Sequence, residues 1–439
     1  MFKFCRPNFE NPVLWALLIE KDWAKVNGGY SNIQFGYANE ALLALTGFPT
    51  EYIDHQWVDE STGKKVTIDP DDIYKKVELA DAEDAIMSAG TKNLKDRVCK
   101  KTGLVKGHAY SLIKAKAMKD KDIYLFKLRN PWGEVHDDQV EWKGDWSDDD
   151  TKNWTAEFKK YFGFQKRNDG VFWMNITDFA KFYDHSSICH LLYGSNIKTY
   201  YFDNPKLMKL PVVFNILIKK QNSFAISANF KNGRMNRNLS EVIHPLSMLL
   251  FKYNKEREIE KCYTKQALRD SAISMINELE PGYYVLWVYA PIDNVTGDNE
   301  FKYSLSFCSL EAYEMEYIGV DKNFSLISHL IMKNFEREGK SELEEADRYY
   351  FGDDKQSQKN SGIANGIIIN KSDDWYMTFK IGANFKDDEF RLFPPFDKSH
   401  NFEIKLPPHA KAIYVGMMIN TPNFLNSVFA KFCIPFTSF

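Results

Sequence analysis

An excess of charge of either sign is the first thing missing from this 439-residue sequence. Its 57 Lys and Arg stand against 60 Asp and Glu, a formal net charge of −3. A near-neutral chain without a basic stripe gives no support to nucleic-acid binding or to polybasic attachment at a membrane surface. Long apolar runs are missing too. Segments such as "HPLSMLLF" and "FSLISHLIM" fall well short of the roughly 20 apolar residues that cross a bilayer as a helix. The opening "MFKFCRPNFENP" has no apolar stretch of signal-peptide length. Cysteine is scarce, with six in the whole chain and no CxxC pair, so a secreted disulfide scaffold is excluded. No clean internal repeat is visible. These absences together predict a soluble intracellular protein with reduced thiols, cytoplasmic or held in an intracellular protein assembly.

What is present is apolar side chain in quantity. The chain is 44% hydrophobic and 15% aromatic, enough for several packed cores, and its length suits two to four domains. The first third reads as mixed α/β. Asn11 and Pro12 resemble an N-cap and first-turn proline before "VLWALLIEKDWAKV", where Trp15, Ile19, Trp23 and Val26 recur at helical spacing and Gly28-Gly29 stops the run. An acidic helix is expected over "DPDDIYKKVELADAEDAIMSA", capped near Asp69 or Asp71. Two strand-like runs follow, "HAYSLIKAKAM" and "DIYLFKLRN", the second nearly continuous in apolar residues from Ile123 to Leu128.

From about Tyr200 the texture changes to short β-type runs, among them "LPVVFNILIKK", "SFAISANF" and "GYYVLWVYA", broken by Asn, Gly, Asp and Pro. That spacing predicts an antiparallel sandwich. A helical segment is expected over "FSLISHLIMKNFEREGKSELEEADRYY", with Leu326, Leu330, Ile331 and Phe335 on one face, then an exposed loop at "GDDKQSQKNSG". The final part is β-rich again.

The chemistry lies in "KGHAYSLIKAKAMKDKDIYLFKLRNPWGE". His108 stands where the first strand-like run begins and Asn130 where the second ends. Adjacent strands would bring the two together, as a thiol protease requires of its base and the amide that orients it. Trp132, in the "NPWG" turn, would shield their hydrogen bond from water. Most histidines beside a strand are simply satisfied surface or core residues, so spacing by itself does not decide the matter.

The wording of the segment goes further. "GHAYS", then "LRNPWGE", "EWKGDWSD" and "NDGVFWMNITDF" resemble the calpain family of cysteine proteases, in that family's order. "WALLIEKDWAKVNGGY" and "ALTGF" look like the opening of the same segment. The resemblance implies an α+β fold: the His/Asn half of a papain-like protease core over residues 1–195, then one or two antiparallel β-sandwiches. The first sandwich would occupy 200–310, where the resemblance is weaker; beyond about 310 it is only architectural, and the β-rich pattern places the helical segment and a second β-rich domain in 311–439. The resemblance also implies that His108 is the general base, Asn130 its orienting partner and Trp132 the wedge beside them.

The family's nucleophile belongs to a "GDCW"-type motif in the other half of the core, with an oxyanion-hole glutamine upstream, and Met1 falls where that half should be ending. No such motif occurs here. Cys5 precedes Arg6-Pro7, Cys99 lies in the wrong half, and Cys189, Cys262, Cys308 and Cys433 sit in apolar or strand contexts typical of inert thiols. The resemblance further implies calcium held by Glu141, Asp148 and Asp169, although Val171 stands where the family usually has another acid. The alternative is a solvated acidic surface spanning Asp137, Asp138 and Asp148 to Asp150.

Two functions are therefore expected of such a chain. One is a pseudoprotease acting as an interaction or scaffolding module, with a protein partner over the open cleft face. The other is the base-bearing half of a calcium-dependent endopeptidase, completed by another chain or an upstream segment.

Overall fold

Among the described residues, five α-helices and eight strands make up most of the first unit. Helix α1 (Trp15–Val26) ends at Asn27, after which Gly28 and Gly29 take φ of 80° and 136°, a backbone only glycine adopts easily. Helix α2 (Ala38–Thr46) ends on left-handed Gly47. Helix α3 (Pro70–Ala82) opens on Asp69, whose carboxylate accepts the Asp71 N–H at 3.0 Å. Helices α4 (Ala156–Phe162) and α5 (Ile176–Phe182) are capped by Thr155 and Asn175 in the same way.

The structure, a computed structural model, describes residues 14–34, 36–59, 64–92, 99, 101–133, 141–202, 211–230, 246–256, 259–267, 272–289, 303–321 and 326, and beyond these only the strands named below. The expected cap at Asn11-Pro12 and the loop at 352–362 lie outside the described residues. The chain divides into two units, Met1–Ser195 and Asn196–Phe439.

The first unit is built on the strands β1 (Thr50–Asp54), β4 (Ile86–Thr91), β5 (Ala109–Met118), β6 (Ile123–Arg129), β7 (Val171–Asn175) and β8 (Tyr183–Cys189). They form one antiparallel sheet in the order β1-β8-β4-β5-β6-β7, beside a small hairpin of β2 (Gln56–Asp59) and β3 (Lys64–Thr67). The acidic helix is shorter than its sequence suggests. It stops at Ala82, Asp84 turns through φ 57°, and "IMSAGT" becomes β4 in the middle of the sheet. Ladder bonds to β8 and β5 on either side outweigh the local helical preference of Ala and Met.

Strand β6 shows why its sequence is almost wholly apolar. Phe126 and Leu128 enter a core with Tyr110, Leu112, Phe172, Phe179 and Tyr183, whereas Leu125 enters a second cluster with Trp146, Trp154, Phe162 and Trp173. Both faces are covered, so alternation disappears. In β5 the register shifts between Leu112 and Lys114, which leaves Ile113 42% exposed and returns Ala115 to the core.

In the second unit, β10 (Val212–Ile218), β12 (Leu246–Tyr253), β13 (Ile259–Ala267), β15 (Gly282–Tyr289) and β17 (Tyr313–Val320) form a sheet ordered β13-β12-β15-β10-β17. A four-stranded sheet, β14-β11-β16-β9, uses β9 (Asn196–Phe202), β11 (Asn222–Phe230), β14 (Ala272–Leu279) and β16 (Tyr303–Ser309). Both are antiparallel, and Phe214, Leu250 and Leu286 of one share a core with Phe224, Leu305 and Phe307 of the other.

Further on, β18 (Ala346–Tyr350), β19 (Ile363–Asn370), β22 (Lys411–Thr421) and β23 (Phe424–Phe432) make a third sheet, and β20 (Met377–Gly382) pairs with β21 (Asn401–Leu406). The sequence pattern places residues 346–350 at the end of a helix. They are a strand, with Arg348 opposite Ile368, in keeping with the β preference of Tyr349 and Tyr350. Of the remaining helical segment only Leu326 is described, and it is helical. No helix among the described residues is long and apolar enough to cross a membrane.

Candidate functional site

Antiparallel pairing decides what meets at the end of β5. Ser111 lies opposite Arg129, so the residue before β5 and the residue after β6 approach each other. Those residues are His108 and Asn130. The imidazole Nε2 and the amide Oδ1 are 2.9 Å apart. Asn130 is 1% exposed and its side chain also meets the Trp132 backbone N–H, which donates to Oδ1 at 3.1 Å. The Trp132 ring lies over the pair, its centroid 4.7 Å from that of His108, and remains 43% exposed.

These contacts fix the protonation chemistry. A peptide N–H can only donate, so the atom it meets must be the amide oxygen of Asn130. That oxygen accepts, so His108 must present Nε2–H to it, and in the neutral ring the lone pair is then on Nδ1. A histidine in this tautomer is set to take a proton at Nδ1.

Two residues without a motif of their own hold the pair in place. Gly170 accepts the Asn130 N–H on its carbonyl at 2.9 Å. It sits at φ +77°, and a Cβ there would come within 2.9 Å of the Asn130 carbonyl oxygen. It lies within "NDGVFWM", but nothing in that wording marks it as a close approach to Asn130. Thr91, 3% exposed, closes β4. Its hydroxyl accepts the His108 N–H at 2.9 Å and donates to the Val105 carbonyl at 2.6 Å, while its own N–H donates to the His108 carbonyl at 3.0 Å. No motif announces Thr91; only the pairing of β4 with β5 reveals it.

The thiols are placed differently. Cys189, buried, pairs with Ile86 at one end of β4, whereas Thr91 and His108 meet at the other. At about 3.3 Å per residue those ends are about 16 Å apart. Burial also pushes the Cys189 thiol up, against a weak contact to the Thr46 hydroxyl at 3.4 Å, and an apolar site of that kind disfavours thiolate. Cys99 is half-buried in a turn, its carbonyl accepting the Thr102 and Gly103 N–H groups. Cys308 belongs to the second unit. Cys5 and Cys433 lie outside the described residues.

Glu141, Asp148 and Asp169 come into one electrostatic neighbourhood. Burial, then repulsion from Asp148, Asp169 and Asp149, pushes the Glu141 carboxyl up to about 7. Burial likewise lifts Asp148 to about 6, against the Arg167 N–H that donates to it at 3.0 Å. Asp169 accepts the Val171 N–H at 3.0 Å, and Lys166 pairs with Asp149. The charge suits a cation, but no group of three or more acidic, His or Cys side chains among the described residues is arranged to hold a metal ion. The calcium ligands expected from sequence are thus brought near one another without forming a coordination sphere.

Comparison with known proteins identifies the family of the first segment. The calpain family cysteine protease profile matches residues 2–190. Residues 2–190 belong to the calpain family. Human calpain-14 is 36% identical over 195 residues, covering 44% of this chain and 26% of the relative. Calpain clp-4 of Caenorhabditis elegans is 33% identical over 187 residues, 42% of this chain and 24% of the relative. The calpain-1 catalytic subunit of Rattus norvegicus is 33% identical over 183 residues, 40% and 23% respectively. The match thus spans about a quarter of the length of these calpains.

Proposed function

We propose that these 439 residues are a calpain-like module that does not hydrolyse peptides by itself and works by binding a protein partner. Residues 1–195 are the base-bearing half of a papain-like core, 200–310 one antiparallel sandwich, and 311–439 a second β-rich domain. The observation that carries the reading is the mismatch at His108: a base set in the working tautomer, and a sequence with no "GDCW"-type cysteine to use it. Without a thiolate the imidazole has nothing to activate. Members of such a site act as a unit, so the remaining ones supply little on their own. Trp132, packed against His108 yet 43% exposed, would lie at the edge of such a partner surface.

The preset His108 also favours a second reading, in which another polypeptide or an additional segment brings the thiol and completes an endopeptidase. The two are separated by incubating the purified chain with casein or a fluorogenic peptide, with and without millimolar calcium. No cleavage is expected. Cleavage abolished both by a thiol-alkylating reagent and by His108→Ala overturns the non-proteolytic reading, and Cys5→Ser and Cys99→Ser then locate the thiol.

We also propose that Glu141, Asp148 and Asp169 attract calcium weakly. Support comes from the mutual repulsion of these carboxylates, which a divalent cation relieves; calcium prefers six to eight oxygen ligands, and Val171 supplies none from its side chain. Nucleic acid is not among the proposed partners, and a reducing intracellular setting suits a chain in which Cys99, Cys189 and Cys308 are free thiols.

A further inference from the structure

We propose that Thr91 is the positioning residue of the His108 imidazole, acting through the histidine backbone. The inference rests on reading His108 as the site's base. The regular ladder between β4 and β5 ends at Gly90 opposite Ala109. One residue later, the pairing of β4 with β8 is irregular between Gly90 and Thr91. Such irregularities re-aim a side chain and recur beside active sites. Here the hydroxyl takes up work the ladder has dropped. It accepts the His108 N–H at 2.9 Å and donates to Val105 at 2.6 Å, while the Thr91 N–H reaches the His108 carbonyl at 3.0 Å.

His108 is thus held on both sides of its Cα by one buried residue. With that Cα fixed, the ring can reach only a narrow arc. The Asn130 oxygen at 2.9 Å, the Trp132 ring at 4.7 Å and the edge-on Tyr110 ring at 5.1 Å define where in that arc it rests. Tyr110 is tied to the same loop, its hydroxyl accepting the Val105 N–H at 3.0 Å. Valine at position 91 would keep the shape of threonine but leave the His108 N–H and the Val105 carbonyl without the hydroxyl. Serine would keep the hydroxyl and lose only a methyl group.

Nuclear magnetic resonance of the full chain labelled with nitrogen-15 histidine tests this. Wild type should show His108 as the Nε2–H tautomer, with its backbone amide protected from exchange. In Thr91→Val the Nε2–H should exchange with water about tenfold faster, the factor that loss of one net hydrogen bond represents, and the Nδ1–H tautomer should become visible. Thr91→Ser should restore the wild-type spectrum, which a merely space-filling role for Thr91 would not require. An unchanged His108 signal in Thr91→Val overturns the proposal while leaving the His108–Asn130 pair intact. A wild-type Nδ1–H tautomer instead overturns the reading of His108 as a preset base, and the proposal with it. If Thr91→Val does not fold, the wild-type backbone amide decides, because exchange of the His108 N–H at the rate of an open loop refutes the hydroxyl contact.

Discussion

Replacing Glu141 by glutamine should make the first unit more stable at pH 8 and leave it nearly unchanged at pH 5. The carboxyl is pushed from its ordinary 4.5 to about 7, first by burial and then by Asp148, Asp169 and Asp149. The folded protein therefore holds this proton more tightly than the unfolded chain does. Between about 4.5 and 7 the folded state carries more protons, so this group's contribution to stability falls as pH rises through that window. Above it the full penalty of a half-buried, repelled charge is in place. Each tenfold change in proton affinity is worth about 1.36 kcal/mol, which bounds the effect at about 3 kcal/mol. Solvent reaches part of the group and Lys166 offsets some repulsion, so about 1–1.5 kcal/mol is the expected gain for the uncharged amide.

For a unit of this size that is a rise of about 3–5 °C in melting temperature. Intrinsic fluorescence in a chelator-containing buffer follows the right unit, because only Trp287 and Trp375 lie beyond residue 195. Comparing wild type with Glu141→Gln at each pH also removes the contribution of His55. That buried ring, lowered to about 4 by desolvation, acts in the opposite sense: stability is lost as pH falls from about 6.5 toward 4. A mutant that melts lower than wild type at pH 8, or a difference of equal size at pH 5 and pH 8, refutes the reasoning.

Millimolar calcium should raise the melting temperature of the wild-type first unit slightly, by mass action on the folded state. Asp148→Asn should remove that rise and Val171→Glu enlarge it, and a flat response in both wild type and Val171→Glu would leave these acids as surface charge. Gly170→Ala should cost about 2 kcal/mol or more in urea unfolding, since it combines a strained left-handed backbone with a Cβ against the Asn130 carbonyl; a neutral result would contradict that packing. Gly90→Ala should also destabilise, because its Cβ would fall 2.1 Å from the His185 ring. Adding His185→Ala should recover most of that loss, and simple additivity of the two changes would refute the contact.

Much of the candidate site was legible because it depends on strand ends. His108 and Asn130 bracket two strand-like runs inside motifs that resemble the calpain family, and the ladder between Ser111 and Arg129 brings them together. Asp69 and the glycines after Val26 mark their helix ends for equally local reasons. What escaped the sequence depends on partners distant along the chain. "IMSAGT" has helical residues and becomes a central strand because β5 and β8 flank it. Thr91 and Gly170 have no motif of their own, since their roles exist only once β4 and β7 are placed beside the pair. The three acids were readable as a group. Whether they meet closely enough to hold a metal depends on how the chain between them folds, and among the described residues no metal-holding group is formed.

The contacts that preset His108 do not themselves draw on a thiol. Asn130 is fixed by Gly170 through its backbone and by the Trp132 N–H through its oxygen. His108 is fixed by Thr91 through its backbone and meets that oxygen by strand register. None of these contacts involves a nucleophile, and each satisfies a polar group that would otherwise be costly to bury. The same contacts that orient a base for catalysis thus also close this end of the sheet. A chain of this fold would keep them for stability whether or not it cleaves peptides, which is why the thiol, and not the His108–Asn130 distance, discriminates a working protease from a binding module. Hydrolysis at this site would require a thiolate delivered to Nδ1 of His108, on the side of the ring away from Asn130.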